Sequence, residues 1–129
     1  MSVQYYPTVL VSVSFKSVET VESICDRFEN LEAVETRNRE SKVTRKTING
    51  SSSVEGYIKF SFTLQSSVDV FLSYNADEGE LTIQYQSDRF EVPKEFSDVI
   101  DAFAEVIVPV VEDEYGEDRV SFDVTTRRV

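Results

Sequence analysis

Between Val54 and Gln86 the chain alternates apolar and polar residues in three consecutive runs. Ile58, Phe60, Phe62 and Leu64 alternate with Tyr57, Lys59, Ser61, Thr63 and Gln65; Val68, Val70, Leu72 and Tyr74 alternate with Asp69, Phe71, Ser73 and Asn75. After Ala76-Asp77-Glu78-Gly79, Leu81, Ile83 and Tyr85 alternate with Glu80, Thr82, Gln84 and Gln86. Successive side chains on a strand point to opposite faces, so three such runs joined by short polar turns predict an antiparallel meander with one apolar and one wet face. The remaining elements must cover the apolar face.

Upstream, Val9, Val11, Val13 and Phe15 alternate with Thr8, Leu10, Ser12 and Ser14, which predicts a first strand from Thr8 to Phe15, starting just after Pro7. The period then changes. Val18, Val21, Ile24, Cys25, Phe28 and Leu31 recur three and four apart, predicting a helix from Ser17 as N-cap to about Val34, with Glu19 in its first turn. From Glu35 to Ser53 the pattern weakens: Lys42 to Ile48 reads as an edge strand guarded by basic residues, with a mobile basic loop as the competing reading. Asn49-Gly50 and Ser51 to Ser53 read as turn and loop.

Beyond the meander, Pro93 marks a helix start, and Phe96, Val99, Ile100, Phe103, Val106, Ile107, Val110 and Val111 form one apolar stripe. Pro109 lacks an amide donor, so the helix is expected to end near Val108; a short strand over Val106 to Val111 is the alternative. Glu112 to Asp118 reads as an acidic loop turning at Gly116, and Arg119 to Thr125 as the closing strand, with Val120, Phe122 and Val124 facing in. The order β-α-β-β-β-β-α-β, with both helices on one face of a mainly antiparallel sheet, is a two-layer α+β sandwich. Its 129 residues are expected to make a single domain.

Charge changes this picture. The chain carries net −11, which disfavours direct binding to nucleic acid or anionic lipid. The distribution is uneven: residues 37 to 59 alone are net +4. On the predicted helices, Glu19, Glu22, Asp26 and Glu29, then Glu95, Asp98, Asp101 and Glu105, recur at three- and four-residue steps opposite the apolar stripes. Two helices side by side would therefore present a broad acidic plate, with phosphate-like spacing; the simpler reading is a solvated exterior. The outward sheet residues are mostly short and polar, with Leu10, Tyr57 and Phe71 as apolar points.

Catalytic chemistry has little to stand on. The chain has no histidine, which removes the usual general base near neutral pH and the commonest zinc ligand. Cys25 falls on the buried stripe of the first helix and reads as a core hydrophobe. The four glycines are too scattered to cradle a phosphate. In the segment from Glu112 to Asp118, Gly116 does not fall where an EF-hand loop requires it. The expectation is a non-enzymatic protein without cofactor or metal: a small acidic inhibitor, antagonist or adaptor that docks on another protein's basic surface, such as that of a nucleic-acid-handling protein. The eight helix-borne acids named above would be its partner-binding residues. Small viral or mobile-element antagonists share this physical character. The alternative is a structural subunit forming a homo-oligomer through the sheet face or the edge strand. With no membrane-length apolar run or signal-like N-terminus, a cytoplasmic location is expected.

Overall fold

The computed structural model describes residues 5–14, 17–64, 68–86 and 93–128. Expectations placed on Phe15 and Gln65 lie outside the described residues, and so do the side chains of residues 5–7, Ser14, Gln86, residues 93–96, which include Lys94, Glu95 and Phe96, and residues 125–128. In chain order the elements are β1 (Tyr5–Ser14), α1 (Val18–Glu29), β2 (Val34–Ile48), β3 (Ser51–Leu64), β4 (Val68–Asn75) and β5 (Glu80–Gln86), then α2 (Pro93–Ala102), a π turn (Phe103–Ile107), α3 (Val108–Tyr115), a 3-10 turn (Glu117–Arg119) and β6 (Val120–Arg128). The six strands form one sheet in the order β2-β3-β4-β5-β1-β6, with every neighbouring pair antiparallel. This is the α+β arrangement that the alternation predicted.

The register carries the core across the sheet. Ile58 opposes Tyr74, Phe60 opposes Leu72 and Phe62 opposes Val70; Leu72 in turn opposes Ile83, which opposes Val11, which opposes Phe122. All these side chains share one face. Phe28 of α1 stacks on Phe62 at 5.2 Å, and Phe103 of the π turn stacks on Phe122 at 6.5 Å, so both helical segments pack on that same face. One buried cluster results, joining Val21, Ile24, Cys25 and Phe28 of α1 to Val99, Phe103, Ile107 and Val111 through the strands. Ser17 caps α1 as expected, its hydroxyl accepting from the Thr20 amide.

Several boundaries differ from the expected ones. Helix α1 stops at Glu29, because Asn30 folds its side-chain amide back onto the Asp26 carbonyl and Val34 already begins β2. Strand β1 begins at Tyr5 and runs through Pro7, which opposes Thr126 of β6, whereas pairing to β5 starts only at Thr8. The second helix does not end near Val108, nor is Val106 to Val111 a strand. The helix widens into the π turn, where the Val108 amide donates to the Phe103 carbonyl, and Pro109 then sits in the first turn of α3. The π turn widens the backbone just before the ring, where a proline clashes with the preceding turn of a regular helix. Glu112 to Tyr115 is therefore helical rather than loop, and Gly116 ends the helix at φ +95°.

The basic segment is ordered strand, not a mobile loop, and Ser51 to Ser53 belong to β3. Asn49 (φ 52°) and Gly50 (φ 80°) make the two-residue turn between the strands. Since β3 meets β4 only from Tyr57 onward, Val43 to Ile48 and Ser51 to Gly56 form a two-stranded arm that projects past the sheet. Its tip carries Ile48, 63% exposed. At the other edge, Val124 of β6 lies on the inward phase, opposite Val9, yet stays 41% exposed.

Candidate functional site

A bulge in β2 decides what the acidic helix faces can do. Val34 and Val43 both pack against the core, yet they are nine residues apart, an odd spacing that a regular strand would send to opposite faces. The register slips by one residue between Thr36 and Asn38, which restores the phase. Arg39, opposite Phe60, and Arg45, opposite Val54, are thereby turned to the helix side. Without the slip, Glu40 and Lys42 would face α1 instead.

The two arginines take up most of the acidic face of α1. Arg39 Nη1 donates to Asp26 at 2.7 Å and to Glu29 at 2.9 Å; Arg45 donates to Glu19 at 2.9 Å. Burial acting alone would lower the Arg39 pKa, but the hydrogen bonds it donates to Asp26 and Glu29 outweigh it and the net direction is upward. Glu19 is held below the usual carboxylate range, first by the backbone amide at the helix start and then by Arg45. Arg27, also on α1, reaches Asp113 at 3.0 Å and Glu114 at 3.3 Å, tying α1 to α3. Of the four α1 acids expected to bind a partner, only Glu22 makes no ion pair among the described residues.

The second helical segment is different. Asp98 and Asp101 of α2 and Glu105 of the π turn are exposed and make no ion pair among the described residues. Together they rim a groove of about 360 Å³ whose floor is Ala33, Leu64, Ala102 and Val106. Ala33 lies in the turn before β2 and Leu64 ends β3, so the groove joins the α2 face to one end of the β2–β3 ladder. Glu95 is placed in α2 by the backbone.

Among the described residues no helix lies on the outer sheet face. Phe71 stands 46% exposed there, flanked by one depression of about 290 Å³ beside Asn38, Lys59 and Ser73 and another of about 180 Å³ beside Arg37 and Asp69. Arg37, the extra residue of the bulge, donates to Asp69 at 2.9 Å, and Tyr57 donates to Glu40 at 2.8 Å. Lys59 lies over the Tyr57 ring at 5.1 Å and has no acidic partner among the described residues.

Cys25 is fully buried, and that burial pushes its thiol up to about 12. Among the described residues no three Cys, Asp or Glu side chains converge on a metal-sized site. No helix among them is long and apolar enough to cross a membrane.

The pairing of Arg39 and Arg45 to α1 was missed in the sequence, although the odd spacing of Val34 and Val43 was a signal for it. The groove floor had none, because Ala33 and Leu64 meet the second helix only through the tertiary packing. The chain matches no known protein-family model and no curated protein sequence.

Proposed function

We propose that this chain is a non-enzymatic binding protein that docks on a basic surface of another protein through the groove rimmed by Asp98, Asp101 and Glu105. One observation supports the reading: the acids of α1 are largely consumed by Arg39 and Arg45, whereas these three make no ion pair among the described side chains and rim an apolar-floored groove. Carboxylates without internal partners retain their charge for a partner, and the apolar floor can receive the stem of a lysine or arginine. The expected mechanism is occlusion of the basic surface, with opposite charge raising the association rate and making it salt-sensitive. The burial of Cys25 and the absence of histidine support a role without catalysis.

The test compares capture of a partner from lysate by wild type, by Asp98→Lys/Asp101→Lys/Glu105→Lys, and by a control with Asp77→Lys/Glu78→Lys/Glu80→Lys at the β4–β5 turn. Both variants change the net charge equally. Capture that weakens with salt, survives the turn substitutions and is lost with the groove substitutions supports the reading. Equal loss in both variants reduces the groove to nonspecific charge and overturns it.

A further inference from the structure

The outer sheet face is geometrically matched to a second copy of itself. One row of outward residues crosses five strands in register: Ser61 on β3, Phe71 on β4, Gln84 on β5, Leu10 on β1 and Asp123 on β6. β5 is the middle strand of these five. A two-fold axis lying in the contact plane along β5 would set β4 of one copy against β1 of the other, and β3 against β6. Phe71 then meets Leu10 twice, once on each side of the axis, and these are the apolar points of the row. Lys59, next outward residue to Ser61 on β3, comes within a lysine's span of the partner copy's equivalent of Asp123.

Within one chain Lys59 lies over the Tyr57 ring, across from Glu40 on β2. Asp123 accepts from the Ser121 hydroxyl at 3.0 Å and makes no ion pair among the described residues, and neither does Lys59. Four inter-strand steps of about 4.8 Å separate β3 from β6, so within one copy the two charges are about 19 Å apart and cannot meet.

Charge and area point the same way. Two copies at net −11 repel, and contact is least opposed at the middle of the face, where the facing strands offer neutral Ser73, Thr82, Gln84 and Ser12 around Phe71 and Leu10, while the outward acid Glu80 at the start of β5 lies at the rim of the footprint. Five strands at about 4.8 Å by seven residues at about 3.4 Å give a footprint of about 600 Å² per copy, or about 1,200 Å² in all, the lower edge of specific interfaces.

We infer that the chain forms a two-fold dimer through this open face, centred on β5. It goes beyond the binding role proposed above: the helical layers face outward on both sides, so the dimer displays two acidic grooves and gains avidity for a partner with repeated basic sites.

Sedimentation equilibrium over roughly 1 µM to 1 mM spans the affinities such an interface reaches. Wild type should move from 14.7 kDa toward twice that mass as concentration rises. Phe71→Asp should weaken association at least about tenfold, with thermal unfolding confirming that the exposed position tolerates the change. Lys59→Glu and Asp123→Lys should each weaken association, and the combined variant should restore it, an outcome only a contact between copies produces. A wild type that stays at monomer mass throughout, a Phe71→Asp variant that associates undiminished, or a charge swap without rescue each overturns the dimer. None of these bears on the groove, whose substitutions lie on the opposite layer.

Discussion

Replacing Gly56 with alanine tests the geometry that frees the basic arm from the sheet. Gly56 sits at φ +119°, where β3 loses β4 as a neighbour and continues paired to β2 alone. A Cβ built there would overlap the Lys42 carbonyl oxygen and come within 3.0 Å of the Val43 Cα, and both are backbone atoms that cannot swing aside. Backbone strain at such a φ costs a side chain about 1–3 kcal/mol, and forcing an atom into packed structure costs about 1–3 kcal/mol more. The expected loss is therefore about 2–6 kcal/mol, a fall in melting temperature on the order of 10 °C or more for a chain of this size. Gly79 is the control: its φ of +62° is also left-handed, but nothing lies within 4 Å of its would-be Cβ. Gly79→Ala should lose only the conformational part, about 1–2 kcal/mol. Thermal unfolding followed by circular dichroism reads both. A Gly56→Ala protein that melts no lower than Gly79→Ala would refute the overlap with Lys42 and with it the path of the arm.

The remaining predictions concern the pairing of the helices. Arg39→Met should destabilise by about 1–2 kcal/mol in urea unfolding, because Asp26 and Glu29 lose a shared donor while water offsets part of the loss. A midpoint unchanged from wild type would mean that the pair contributes nothing. For Cys25, the folded thiol titrates near 12 against an ordinary 9.0, so the folded chain keeps a proton that the unfolded chain releases. Its contribution is complete below pH 9 and is lost as pH rises toward 12, by about 1.4 kcal/mol per pH unit. Cys25→Ala should show a correspondingly shallower decline over that range, and parallel curves for the two proteins would contradict the shifted thiol.

Strict alternation in β3, β4 and β5 determined the meander and its inward face, because a period of two leaves each side chain one side to occupy. The three- and four-residue spacing of Val18, Val21, Ile24, Cys25 and Phe28 likewise determined α1, and Ser17 its start. What the sequence left open turns on single backbone events that shift a period without announcing themselves. Pro109 argued for a helix end, but the π turn absorbs the ring and Val111 stays buried on the same stripe. The bulge at Arg37 turns Arg39 and Arg45 onto α1, so a plate of acids that looked continuous in the sequence is half neutralised in the fold. Acidic spacing along a helix reports which residues share a face, while only the tertiary structure decides which strand lies beside that face. That neighbour separates the paired acids Glu19, Asp26 and Glu29 from Asp98, Asp101 and Glu105, which are left around an open groove.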